Sequence, residues 1–317
     1  MFSLPLRVKN FRGRIEMKTF SALTKRNVKL FFKDKGMFFS SLITPIILLV
    51  LYATFLAKVY RDAFVQSAGD FVVPEKIIDG IVAGQLVSSL LAVTCITVAF
   101  CSNLLMVQDK VSGARKDLLV SPVNPRTVPL SYFAAAFFST IIVNLIALAV
   151  GFVYIAVQGW FLTFTDVLLL LVDVILLTLF GTALSSIVNV FLSTNGQASA
   201  VGTIVSAGYG FLCGAYMPID SFPDYLKGIL MFLPGTYGTA LIRNHSLSGS
   251  LNEMASILPE AQREIVIKGM KDGIDCNIYF FGHNVDIWVM YLVLALAVVV
   301  CMGAYVTIGR ILAKKHK

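Results

Sequence analysis

Asp109-Lys-Val-Ser-Gly-Ala-Arg-Lys-Asp-Leu-Leu-Val-Ser-Pro-Val-Asn-Pro125 is a short charged stretch set between two apolar runs, Ile81–Met106 and Val128–Val157. Each run is long enough to cross a bilayer. Lys110, Arg115, Lys116 and Arg126 supply the positive charge that cytoplasmic loops accumulate, so the stretch is expected to face the cell interior. Gly113 and the Pro122/Pro125 pair punctuate it, leaving room for about two helical turns from Asp109 to Val120. That is too short for a domain. It reads as a rigid lever on the membrane surface, offering its charges and Leu118/Leu119 to something in the cytosol.

The rest of the composition agrees with a membrane setting. Of 317 residues, 57% are hydrophobic and 14% charged, against about 25% charged in a soluble domain. Basic residues concentrate before the first apolar run, in the central stretch and in the tail. Those segments hold 18 of the 26 basic residues but only Glu16, Asp34, Asp109 and Asp117 among the 18 acidic ones, a net +14 that leaves −6 elsewhere. The asymmetry predicts a cell-membrane protein with both termini inside. Anionic lipid headgroups are the simplest partner of such charge, and no nucleic-acid partner is expected. Residues 1–15 lack the apolar core of a signal peptide. Four of the five cysteines lie inside apolar runs, leaving Cys276 in a polar region, and no spacing suggests a disulfide, redox or metal motif.

Read in order, residues 1–36 form a cytoplasmic N-terminus with an interfacial helix over Glu16–Lys35. Lys18, Lys25, Lys29 and Lys33 share one side of it, with Met17, Phe20, Leu23, Leu30 and Phe31 turned to the acyl boundary. A six-span transmembrane domain over 37–309 and a basic tail over 310–317 follow. The spans are Met37–Val59, with Pro45 expected to kink it, Ile81–Met106, Val128–Val157, Asp166–Leu192, Ala198–Met217 and Val285–Gly309. Tyr60–Asp79 is read as an external loop. Ser206, Gly210 and Gly214 stack at intervals of four in the fifth span, a face for close approach by a neighbour or by a second copy. Gln85, Asn144 and Asn189 are expected to hydrogen-bond between helices. Asp173, the one carboxylate well inside a span, either serves a proton relay or, as the commoner outcome, reaches interfacial water.

Pro218–Asn284 is the largest polar region. Its first part is too apolar for a free loop and too broken by proline to span, and it reads as short re-entrant helices dipping into the outer leaflet. Leu251–Lys271 then reads as an external amphipathic helix capped by Ser250. The glycosylation triplet Asn244-His245-Ser246 is a frequent chance match.

Asp109-Lys110, Gly113 and Leu118-Leu119-Val120-Ser121-Pro122 resemble the cytoplasmic loop of ABC-2-type transporter permeases. Pro218, Pro223, Pro234, Thr236, Tyr237 and Arg243 resemble the proline-rich, re-entrant outer element of the same family. Two departures stand out: Ala114-Arg115-Lys116 where the family often has Thr-Leu-Glu, and Leu233 where it has Asn. The resemblance implies an all-α integral membrane protein with an interfacial helix beside an ABC ATPase subunit. It also implies a coupling helix formed by Asp109, Lys110, Gly113, Arg115, Lys116, Asp117 and Leu118, and pairing with a second copy or a homologous permease. Tyr52, Phe55, Tyr209, Phe211 and Tyr216 are candidates to line the path, or else packed or lipid-facing bulk.

No G-x-x-x-x-G-K-[ST], H-E-x-x-H or G-x-S-x-G motif occurs. The chain is therefore not expected to be an enzyme or to hold a cofactor, and ATP and Mg would be bound by the partner subunit. The function expected is export of an amphiphilic drug, lipid or antimicrobial peptide. Lipid-linked polysaccharide export, or a six-helix channel, membrane enzyme or scaffold without ATP, is the alternative.

Overall fold

The computed structural model describes residues 6–68, 73–121, 123–124 and 126–315, so the expectations placed on Pro122 and Pro125 lie outside the described residues. The elements are α1 (Leu6–Lys33), α2 (Lys35–Leu51), α3 (Ala57–Ala68), α4 (Glu75–Val111), α5 (Ala114–Val120), α6 (Thr127–Gln158), α7 (Phe164–Phe191), α8 (Asn195–Leu212), α9 (Asp224–Leu230), α10 (Pro234–Ile257), α11 (Glu260–Gly273) and α12 (Ile287–Lys315). A two-residue antiparallel ribbon pairs Tyr279 with Asn284 and Phe280 with His283. The fold is all-α in its bulk.

Local chemistry starts the helices where a chain needs free N–H groups covered. Asp34 accepts from the Met37 N–H at 3.0 Å and begins α2. Thr163 and Asp166 form a reciprocal capping box for α7. Pro234 sits in the first turn of α10, where its missing N–H costs nothing. Pro45 is absorbed inside α2, and a π-helical turn at Tyr52–Leu56 joins α2 to α3. The expected Tyr60–Asp79 loop is thus largely helical, formed by the end of α3 and the first turn of α4.

Among the described residues, five helices are long and apolar enough to cross a membrane: Lys35–Asp62, Glu75–Val111, Thr127–Gln158, Phe164–Phe191 and Ile287–Gly309. The expected fifth span is only the 18 residues of α8 and does not reach that length and apolarity together. Gly214, assigned to its small face, lies beyond the helix with φ +74°, while Gly210 is covered by Tyr216 of the same chain.

The core is built around α4. Buried for 94% of its most apolar window, it packs against α2, α6, α7, α8 and α10. The first span, by contrast, is buried over only 18% of its window. Small polar residues lace α4 to its neighbours: Ser102 lies 3.0 Å from the Thr140 hydroxyl, and Asn103 donates to Ser185 and Ser186 at 3.0 and 2.7 Å. Such bonds join helices where apolar packing alone gives little orientation. Of the three amides expected to do this, Asn144 donates to Thr178 at 2.8 Å. The Asn189 side chain has no partner among the described residues, nor does Gln85 Oε1.

The N-terminal helix also corrects the expectation. Its lysines Lys18, Lys25, Lys29 and Lys33 are exposed, but Thr24, Asn27 and Phe31 are buried. Leu23 and Leu30 pack on the cluster around Phe31, Met106, Val128 and Tyr305. From Leu23 to Phe31 the apolar face is covered by protein, chiefly α6, because α1 lies along the bundle, while Met17 stays exposed.

The largest departure is α10. Short helices do follow Pro218, at Ile219–Ser221 and α9, but Pro234–Ile257, in the middle of the region read as polar, is a 24-residue helix buried almost continuously from Gly235 to Ser250. Gly238 lies against Leu177 midway along α7 and against Leu294 of α12. At Gly84 an added Cβ would come within 2.7 Å of the Ser246 carbonyl, so α4 and α10 meet backbone to backbone. Ser250 is inside this helix and caps nothing; the Leu251–Lys271 helix is split by Leu258-Pro259. Cys276, expected in a polar setting, is 1% exposed.

Candidate functional site

The quoted stretch divides at Gly113, whose φ of +85° is a backbone state that glycine enters at little cost. Asp109 and Lys110 belong to the end of α4, and Ala114–Val120 forms the separate helix α5. Asp109 is buried. Arg26 of α1 grips its carboxylate with Nη1 at 2.5 Å and Nη2 at 3.3 Å, and the Tyr132 hydroxyl of α6 donates to it at 2.5 Å. Lys110 turns the other way. Its ammonium donates to the carbonyls of Val190 at 2.5 Å, Leu192 at 2.9 Å and Asn189 at 3.3 Å. These groups close the C-terminus of α7, where unsatisfied carbonyls and the helix dipole favour a cation.

Four helices, α1, α4, α6 and α7, are therefore bolted together one turn from α5. On α5, Lys116, Asp117 and Val120 are exposed and Arg115 is partly exposed. Leu118, expected to face a cytosolic partner, packs inward on the cluster around Phe31 and Val128; the Leu119 side chain lies outside the described residues. Chemically, this end presents charge on a short lever with a rigid root.

A second polar cluster lies toward the opposite end of the bundle. Asp173 of α7, 1% exposed, receives the Tyr291 hydroxyl of α12 and lies 2.6 Å from Nδ1 of His245 on α10. Burial of a carboxylate demands such partners. The expectation that Asp173 reaches water is overturned because α10 and α12 cover it. His245, read as external, was missed since nothing in its local sequence marks a buried helix.

The outer element is assembled by its prolines and by Arg243. Pro218 precedes a short 3-10 turn at Ile219–Ser221, Pro223 precedes α9, and Pro234 begins α10. The Tyr237 hydroxyl donates to the Met231 carbonyl at 2.7 Å. Arg243, 1% exposed, donates to the Gly214 carbonyl at 2.8 Å and pairs with Asp275 at 3.3 Å. Asp275 in turn accepts from the Ile219 N–H at 2.8 Å. Arg243, Asp275, Gly214 and Ile219 meet in one place, and they tie α10 to the segment that follows α8.

The aromatics expected to line a path stand in different surroundings. Tyr52 is buried and stacked on Tyr60 at 5.7 Å, Phe55 is exposed, and Tyr209 lies against Gly235. Phe211 and Tyr216 meet edge to face at 5.0 Å.

No group of three or more metal-ligating side chains occurs among the described residues. No protein of curated function matches the chain. The model of a family described as ABC-2 type transporter matches residues 18–245, a span that runs from α1 through the Asp109 junction to His245. With five helices among the described residues long and apolar enough to cross a membrane, and that match over most of its length, this multi-pass membrane protein belongs to the ABC-2 type transporter family.

Proposed function

We propose that the chain is the membrane subunit of an ATP-driven exporter of amphiphilic drugs, lipids or antimicrobial peptides. A separate ABC ATPase subunit binds ATP and Mg, and a second copy or a homologous permease completes the path. In this reading α8 is a sixth crossing, both termini are cytoplasmic, α9 and the start of α10 are re-entrant from the outer side, and α5 is the coupling helix.

The observation that carries the proposal is the rooting of the Asp109-Lys110 pair in three neighbouring helices, directly before an exposed charged lever. Force applied to Arg115, Lys116 and Asp117 passes through the Gly113 bend into α4. From there the Asp109 and Lys110 bonds carry it to α1, α6 and α7, so the bundle responds as connected rigid bodies rather than by local bending. No reactive side chain is required for this work.

Arg115→Glu combined with Lys116→Glu reverses the charge of the lever while leaving its root untouched. The expected outcome is normal membrane insertion with loss of substrate-stimulated ATPase activity in the co-purified complex. Unchanged coupling in that double variant would remove α5 from the mechanism.

A further inference from the structure

Outside the elements used above, a cavity of about 590 Å³ opens between α10, the end of α11 and the start of α12. Its wall carries Asn244, Lys271, Asn277, Asp286, Trp288 and Tyr291. It lies at the end of the bundle opposite α5, beside the first turn of an apolar helix able to cross a membrane. A volume of this size suits a small organic group.

The polar atoms are divided by sign. Lys271 is a cation at the last turn of α11, and that turn folds back so that the Cys276 and Asn277 N–H groups donate to the Lys271 carbonyl at 2.9 and 3.3 Å. At the start of α12, the Trp288 indole donates to the Asp286 carboxylate at 3.3 Å, holding an anion beside a large aromatic face. Asn244 spends both amide hydrogens on the Ala240 and Cys276 carbonyls, at 2.9 and 2.6 Å, so what it retains is an acceptor. Tyr291 spends its hydroxyl hydrogen on Asp173. The end of α11 therefore offers a cation for an anionic group. The residues from α10 and the start of α12 offer a carboxylate, amide and hydroxyl acceptors and π faces, the surroundings that an ammonium group prefers. Cys276 adds no chemistry here, since burial pushes its thiol up to about 12.

We infer that this cavity binds a zwitterionic phosphate–ammonium headgroup of an ethanolamine phospholipid, phosphate toward Lys271 and ammonium toward Asp286 and Trp288. The lipid source follows from position. Trp288, Leu292 and Leu296 are exposed along the helix that leaves the cavity, giving acyl chains an apolar track. An indole at the start of such a track also matches the aromatic belt of membrane proteins. Binding is a property of this chain alone and needs no ATPase, so its test stands or falls separately from the exporter reading.

The chain has two tryptophans, Trp160 and Trp288, so in a Trp160→Phe background the full-length protein reports directly on the cavity wall. In detergent, dihexanoyl-phosphatidylethanolamine is expected to change Trp288 fluorescence saturably. Dihexanoyl-phosphatidylglycerol, which lacks the ammonium, and either Lys271→Gln or Asp286→Asn are each expected to weaken the midpoint about tenfold. Free O-phosphoethanolamine distinguishes the sources: a much weaker response assigns the acyl chains a share of the binding, whereas an equal midpoint would overturn the lipid assignment. Equal responses to the ethanolamine and glycerol lipids, or midpoints unmoved by both substitutions, would overturn the headgroup site.

Discussion

Asp109 and Asp173 are two versions of one arrangement at opposite ends of the bundle. Each is a buried carboxylate that accepts a tyrosine hydroxyl from one helix and faces a basic side chain from another. They differ in the base and in access to water. Arg26 is a permanent cation in a bidentate grip, with its side chain 36% exposed. His245 is 9% exposed and charged only if protonated. In the proposed coupling role of α5, a fixed charge pair beside it suits a joint that stays closed under force. The Asp173 contact instead holds α7, α10 and α12 together at a carboxylate that is itself 1% exposed.

The comparison can be broken by removing each carboxylate in turn. Asp173→Ala is expected to cost most, about 3–5 kcal/mol, because it strands the buried His245 of α10 and also takes away the acceptor of the Tyr291 hydroxyl of α12. The check is loss of a cooperative thermal transition in detergent, or a large fall in its midpoint. Asp109→Ala should cost less, about 1–2 kcal/mol, since solvent reaches Arg26 and screens what is lost. If this variant melts lower than Asp173→Ala, burial has been misjudged as the deciding difference. A double-mutant cycle of Arg26→Ala with Asp109→Ala sharpens the point. It should return a coupling energy of about 1 kcal/mol in the same melting measurement.

Gly113→Ala is the smallest expected change, about 1 kcal/mol from forcing a side chain into the left-handed region. Open space around Gly113 adds no steric penalty. Stability should therefore fall slightly while substrate-stimulated ATPase activity falls more, as the angle between α4 and α5 shifts. Equal small losses in both would mean that this bend is not part of the force path.

Much of this was legible because hydropathy and charge act locally. The ends of α6 and α7 fall within two residues of the expected spans, and the lysine side of α1 is exposed as its spacing implies. Hydropathy could not rank the spans, however. Lipid is as apolar as leucine, so a helix facing acyl chains and one surrounded by other helices read alike. Only packing separates α4, almost wholly buried, from the largely uncovered α2. The same limit hid α10. Arg243, Asn244, His245, Ser246 and Ser250 look like loop chemistry in one dimension, and the partners of the first three, Asp275, Gly214, Cys276 and Asp173, lie on distant segments.

Composition and charge placement by themselves determined that this is a polytopic helical protein with a short charged element between two spans, because transfer of apolar side chains from water and the cost of burying charge are properties of each segment alone. Which carboxylate meets which base, which helix lies at the centre, and where a glycine must bend the chain were decided only by the tertiary structure. Those outcomes depend on bringing residues such as Arg26 and Asp109, or Asp173 and His245, together across many turns of intervening helix, and no local preference encodes that meeting.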